Sequence, residues 1–434
     1  MNEFTLVGIM GIVILIILIF TRMPVAYVMG FVGFLGFSFL TNINAGLKLI
    51  SRDIFSVFSS YGLTLIPLFV FMGYIAFYAG ISSRLYDVAY KFLGRVSGGL
   101  AMATVGACTA FGAVCGSGTA TAATMATIGL PEMKRYSYGS ELATGSVAAG
   151  GGLGILMPPS VTMIVYGILT EQSIGELFIA GIIPAIMITL LFFIAIAAYC
   201  RIKPEQGPKG ESFGLREMAL SLMELWETLL VFVFVMGGFF LGFFTPTKAG
   251  AVGSCAILVI VLLQRKLSWK GFLDSIYNTL KTSCMVLMLI AGATIFGHFL
   301  ALTRIPLDVG ELVAGLRWPN WAIMAMIVVV YLIGGCFIDA LALIMLTIPI
   351  FYPIALELGY DPIWFGIIIV LVGQMGIITP PVGINAYVVK GIAKDVPLEV
   401  VFKGILPFLV ALIVGAGIII AYPAIATWLP NMIR

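Results

Sequence analysis

The chain has 434 residues, of which 61% are hydrophobic and 10% charged, with a mean hydropathy of +1.14. Soluble domains carry about 25% charged residues, so the composition excludes a soluble globular protein and indicates an all-α polytopic membrane protein in a lipid bilayer. The net charge of +3 is spread over many loops, without a stripe for nucleic acid, and the six cysteines stand singly in apolar sequence, without the spacing of a disulfide framework or zinc site.

The predicted elements begin with an apolar run at 6–20, read as a retained helix because "TRMPVAYVMG" follows it with no small-residue cleavage site. Residues 1–96 are assigned to N-terminal scaffold helices, with an amphipathic interfacial segment at 86–95. The stretch 97–184 holds three parts in order. They are an apolar segment with a small-residue break, "GAVCGSGTATAATMATIGLP", a polar turn, "PEMKRYSYGSE", and an apolar segment interrupted by adjacent prolines, "GILMPPSV". Scaffold returns over 185–318, with a polar loop at 201–218, a second amphipathic segment at 269–281, and the sole histidine, His298, read as interfacial packing. The three-part order then recurs in 319–407 as "GGCFIDALALIMLTIPIFYP", "IALELGYDPIW" and "GIITPPVG", before a C-terminal helix at 408–434. Many of the apolar runs reach the roughly 17–25 residues that span a bilayer.

The recurrence is an internal duplication. Pro380 follows Pro158 by 222 positions, and the same offset carries Gly112 onto Gly334, Pro131 onto Pro353 and Gly154 onto Gly376 without a gap. Each Pro-Pro interrupts a helix at a cost of about 3 kcal/mol or more. A matching pair of breaks in two halves is a pointer to a transporter binding site. Lysine and arginine then orient the chain. With the segments before Pro131 and Pro353 taken as re-entrant hairpins and the N-terminus outside, seventeen cationic residues fall in the cytoplasm. Only six (Lys48, Arg52, Lys248, Arg304, Arg317 and Arg434) fall outside. Five crossings separate the two polar turns, so the repeats are expected to have inverted topology, each a re-entrant hairpin and a Pro-broken helix, with scaffold helices around them.

Unwound backbone at membrane depth survives only where it is buried or lines a wet cavity. Its carbonyls suit a hard cation such as Na⁺, and N–H groups at a half-helix start suit an anion such as a carboxylate. The candidates are "CGSGT" (115–119) facing 154–159, with the Ser117 hydroxyl, and "GGCFIDA" (334–340) facing 376–381. Asp339 aligns with Ser117 and is the only carboxylate between Glu311 and Glu357, and an acid in apolar sequence is by default functional. Thr379 and Asn385 add oxygens. The expected substrate contacts are Ser160, Asp339 and Asn385. No organic cofactor is expected.

The motifs "GAVCGSGTATAATM", "GGGLGILMPPS", "FFTPTKAGAVG", "GGCFIDALALIMLTIPIFYPI" and "GQMGIITPPVGINAYV" resemble the large membrane subunit of tripartite ATP-independent periplasmic (TRAP) transporters, over essentially the whole chain. The resemblance implies a Na⁺-driven importer of organic anions in a bacterial inner membrane, working by an elevator motion with two or more coupling ions. It implies a small four-helix membrane subunit and a periplasmic substrate-binding protein as partners. Carried over by motif, one Na⁺ site uses Cys115, Ser117, Gly154, Met157 and Pro159, and the other Gly335, Ile338, Gly376, Thr379 and Pro381. The chain departs from the family at Cys115, often serine, and at Lys248, often glutamate, so no role is carried over to Lys248. Two other classes stand beside this reading. One is a Na⁺/carboxylate symporter of related two-hairpin architecture that works alone. The other is an intramembrane enzyme, which the lack of any Ser/His or paired-Asp constellation disfavours.

Overall fold

The computed structural model describes residues 3–21, 23–315 and 318–433. Arg22, Arg317 and Arg434, counted in the charge tally, lie outside them. Among the described residues the chain is helical throughout, with no strand. Seven helices are long and apolar enough to cross a membrane, and Ile43–Phe58 with Gly62–Tyr78, bent by 54°, add an eighth if taken as one broken span.

Burial sorts these helices into a shell and a core. In Glu3–Phe20 only 22% of the apolar window is buried, and Leu6, Ile9, Ile17 and Phe20 point outward, as suits a lipid-facing helix. In the broken segment Ser140–Leu169, by contrast, 83% is buried, and in Pro362–Gly376 every residue from Ile363 onward is covered. The helix that precedes each proline break therefore lies in the middle of the molecule, and in the first half the break itself is shielded as well.

The 222-residue offset also holds for the helices. Gly118–Arg135 maps onto Ala340–Glu357 at both ends, Ser140 maps onto Pro362 as the next helix start, and Val161–Leu169 maps within one residue onto Ile384–Ile392. Local chemistry sets these boundaries. The first hairpin arm, Gly99–Cys115, stops at Gly116, whose φ of +65° is left-handed and free of cost only for glycine. Ser117 then caps the second arm through Ala120 N, as Asp339 caps Ala340–Glu357 through Leu341 N. Asp361 caps Pro362–Gly376, with proline at the first helical position, where its missing N–H costs nothing.

One expected scaffold element is placed differently. The amphipathic segment at 269–281 is the first third of a single helix, Trp269–Thr303, of 35 residues. No proline or capping signal interrupts it, and the Thr279 hydroxyl simply donates back to the Ser275 carbonyl at 2.6 Å. At 1.5 Å per residue it runs about 52 Å, well beyond the roughly 30 Å hydrocarbon core. The other amphipathic segment lies in Ile81–Leu93, which buries Ile81, Leu85, Tyr86 and Val88 on one face.

The two repeats interlock. The Asn385 side chain donates to the Ala148 carbonyl at 3.0 Å, and the Tyr166 hydroxyl donates to the Pro362 carbonyl at 2.6 Å. Lys134, at the end of the first hairpin, pairs with Asp395 at 2.7 Å, just past the second broken helix.

Candidate functional site

In both halves the first hairpin arm crosses the broken helix at a pair of glycines. A Cβ placed on Gly112 would lie 2.8 Å from Gly154 Cα, and one on Gly335 would lie 2.9 Å from Gly376 Cα. These approaches bring each hairpin tip against its helix break. In the first half a Cβ on Gly116 would sit 2.5 Å from the Pro159 carbonyl oxygen, and Val161 N donates to the Gly116 carbonyl at 3.3 Å. Gly154 lies against Ser117, whose carbonyl accepts from Thr121 N at 3.0 Å and Thr121 Oγ1 at 2.7 Å. The expected facing of 115–119 and 154–159 is therefore present. In the second half Ile338 N donates to the Gly334 carbonyl at 3.0 Å, and Thr379 Oγ1 donates to the Met375 carbonyl at 2.6 Å. Asn385 N closes the break by donating to the Ile377 carbonyl at 3.0 Å.

Both Pro-Pro bonds are cis. The two breaks differ in exposure: Pro158 and Pro159 are buried, whereas Pro380 and Pro381 are exposed.

A cavity of about 350 Å³ joins the two hairpin tips. Cys115, Ser117 and Thr119 line it from one repeat and Asp339, Ala340 and Leu341 from the other, so the starts of the two capped helices, Gly118–Arg135 and Ala340–Glu357, share one space. Its other wall is scaffold: Val70, Tyr74, Thr282, Met285 and Val286. Tyr74 Oη and Thr282 Oγ1 lie 3.1 Å apart, in hydrogen-bond contact. Among the described lining residues there is no Lys, Arg or His. Asp339 is exposed, and its Oδ2 accepts from Leu341 N at 3.1 Å.

Several sequence-assigned residues stand back from this cavity. Ser160 is fully buried and engaged locally, its hydroxyl donating to the Ile155 carbonyl at 2.6 Å and accepting from Met163 N at 3.4 Å. Asn385 is fully buried between the repeats, and its Oδ1, like both amide atoms of buried Gln374, has no protein partner, a polar spot that ordered water would fill. Met157 ends its helix by donating N–H to the Leu153 carbonyl, and neither it nor Gly154, Pro159, Gly335, Ile338, Gly376, Thr379 or Pro381 lines the cavity. His298 lies in the scaffold with Nδ1 3.0 Å from the buried Asp53 carboxylate. The scaffold pair Tyr74 and Thr282 escaped the sequence reading. Neither carries a distinguishing pattern: Tyr74 is a tyrosine in an apolar stretch, and Thr282 stands between Lys281 and Ser283.

Among the described residues no cluster of three or more His, Cys, Asp or Glu could hold a metal ion. The donors near the breaks are carbonyl, hydroxyl and amide oxygens, which suit a hard cation and not a soft transition metal. A protein-family model, "Tripartite ATP-independent periplasmic transporter, DctM component", matches residues 12–425. The chain belongs to the DctM family. It is thus a multi-pass membrane protein of a transporter family, not an enzyme, and the family is one component of a tripartite system.

The similarities of this DctM-family chain extend along its length. The C4-dicarboxylate TRAP transporter large permease protein DctM of Pseudomonas aeruginosa is 36% identical over 386 residues, covering 89% of this chain and 90% of the relative. The sialic acid TRAP transporter large permease protein SiaM of Vibrio cholerae is 31% identical, with 95% and 96% covered. The ectoine TRAP transporter large permease protein TeaC of Halomonas elongata is 32% identical, with 85% and 86% covered. Among solved structures, the Alcanivorax borkumensis YdaH transporter superposes with a TM-score of 0.54 at 13% identity, covering 87% of this chain and 90% of its own. At that identity the likeness is one of fold alone.

Proposed function

We propose that this DctM-family chain is the permease of a Na⁺-coupled importer of an organic anion bearing a carboxylate. In this reading a periplasmic binding protein delivers the anion, and a small four-helix membrane subunit accompanies the chain in the bacterial inner membrane. The N-terminus is periplasmic, the two repeats are inverted, and the core carrying both breaks slides as an elevator against the scaffold.

The observation that carries the reading is the charge pattern of the shared cavity. Two helix starts open into it, bringing the partial positive charge of helix N-termini, yet no cationic side chain lines it and one carboxylate, Asp339, does. Helix ends alone contribute about 0.3–1 kcal/mol each, too little to hold a carboxylate beside Asp339. Cations bound at the two breaks would supply the missing positive charge. The anion would then bind well only when the cations are present, which is coupling in thermodynamic form. The Na⁺ ions are cargo held by this chain's oxygens: Cys115, Ser117, Gly154, Met157 and Pro159 at one break, and Gly335, Ile338, Gly376, Thr379 and Pro381 at the other. The anion occupies the cavity between Ser117 and Asp339. In the conformation described here Ser160 and Asn385 support the breaks from behind, and contact with substrate would require them to be uncovered.

The test is uptake of a binding-protein-delivered anion into proteoliposomes holding both membrane subunits. An inward Na⁺ gradient should drive uptake with a sigmoidal dependence on Na⁺, and K⁺ replacement should abolish it. Undiminished uptake in Na⁺-free buffer at fixed pH would remove the cation assignment.

A further inference from the structure

Far from the transport cavity, a second pocket of about 350 Å³ opens between the end of Ile174–Ile202 and the first turns of Leu398–Ala421. Its polar end is built from Glu141, Tyr199, Lys203 and Lys403, and its apolar end from Leu406 and Val410. The polar end is partly neutralised already. Glu141 Oε2 accepts from the Tyr199 hydroxyl at 2.6 Å and from Lys203 Nζ at 3.1 Å, and the same ammonium lies 5.3 Å from the centre of the Tyr199 ring. That leaves Lys403, which has no carboxylate within ion-pair distance among the described residues. One carboxylate against two ammonium groups gives the pocket a surplus of one positive charge.

The apolar end faces outward. Leu406 and Val410 are 53% and 60% exposed, and Ile413 and Val414 extend the same stripe down the helix at 52% and 47%. In a membrane protein such a stripe meets acyl chains. A cationic pocket at the rim with an apolar track leading from it has the head-to-tail layout of a phospholipid. Basic pockets between membrane helices recognise anionic headgroups, and a lysine held above an apolar track keeps its ammonium at the interface. Under the positive-inside orientation both lysines lie on the cytoplasmic side.

We propose that this pocket is a binding site for one anionic phospholipid of that leaflet, with its phosphate between Lys403 and Lys203 and an acyl chain along Leu406 and Val410. The site is separate from the hairpin breaks and does not depend on the Na⁺ reading. Bound there, the lipid bridges the entrance of the first broken helix, through Glu141, and the two long helices flanking it.

Native mass spectrometry of the purified full chain, delipidated and then titrated with single lipids, tests this. Phosphatidylglycerol should be retained in preference to phosphatidylcholine. Lys403→Gln should weaken retention about fivefold, the worth of one interfacial lysine, while Lys403→Arg should retain it and Lys394→Gln, at an exposed lysine elsewhere, should leave it unchanged. A misfolded variant would show itself in the melting temperature, so the Lys403→Arg comparison keeps the result readable. Equal retention of the two lipids would overturn the proposal. So would unchanged binding in Lys403→Gln, or displacement of the lipid by millimolar inorganic phosphate, which would mark a soluble-anion site.

Discussion

Gly335 and Gly376 meet backbone to backbone, and a single methyl on either enters the other's main chain. Overpacking of this kind costs about 1–3 kcal/mol where neighbours can move, and here the neighbour is backbone. Gly335→Ala should therefore lower the melting temperature and sharply reduce transport, because it pushes the hairpin tip away from the break. Gly154→Val should do the same in the first half, since its Cβ would lie 2.8 Å from the Ser117 carbonyl oxygen. Wild-type uptake in both variants would show that the close approaches are not needed. Asp339 permits a finer separation. Asparagine can keep the cap to Leu341 N while losing the charge, whereas alanine loses both at about 0.5–2 kcal/mol. Asp339→Asn should leave the melting temperature nearly unchanged and alter anion uptake, and Asp339→Ala should affect both. If Asp339→Asn transports normally, the carboxylate acts only as a cap.

Between elements, the Lys134–Asp395 pair ties the first hairpin to the loop after the second broken helix. The Lys134 ammonium beside Asp395 holds that carboxyl below its ordinary value of 3.8. A depressed folded value means that the pair's contribution is present above the ordinary carboxylate range and is lost as pH falls through the folded value. An exposed pair contributes little, so the effect should be a small gap in melting temperature between the wild type and Asp395→Asn. That gap should be open at pH 7 and narrow as pH falls below the ordinary carboxylate range; a gap independent of pH would show that the carboxylate's charge is not what ties the elements. At the opposite corresponding corner the tie is hydrogen-bonded and aromatic: Gln172 Nε2 donates to the Tyr352 hydroxyl at 3.0 Å, and the Tyr166 and Tyr352 rings pack edge to face. One corner thus loosens with ionic strength or acid, and the other does not.

For the molecule as a whole, the proposed inverted topology places the two hairpin turns on opposite sides of the membrane. Ser137 and Glu357 are exposed residues of those turns. In a background without the six native cysteines, Ser137→Cys should react only with a permeant thiol reagent in oriented cells. Glu357→Cys should react with an impermeant one. Labelling of both from one side would refute the inversion, and the elevator motion derived from it would fall as well. The fold likeness to the Alcanivorax transporter bears on architecture and leaves this question to the labelling.

Composition alone settled the solvent, because a chain this poor in charge cannot cover itself with polar surface. Matched glycines and prolines revealed the repeat, since those residues act on local backbone and leave the same signature wherever they stand. Ser117 and Asp339 stood out as a hydroxyl beside a small-residue break and an acid in apolar sequence, and the structure shows each capping the helix that follows it, a contact within three residues. What only the tertiary structure decided are contacts between distant positions. It put both hairpin tips into one cavity and supplied its far wall from Tyr74 and Thr282, 208 positions apart. It also turned Ser160 inward to the Ile155 carbonyl and set His298 against Asp53 instead of leaving it as simple packing. Such pairings depend on how helices cross, and helix crossing is governed by the packing of whole faces. No local pattern of residues encodes that.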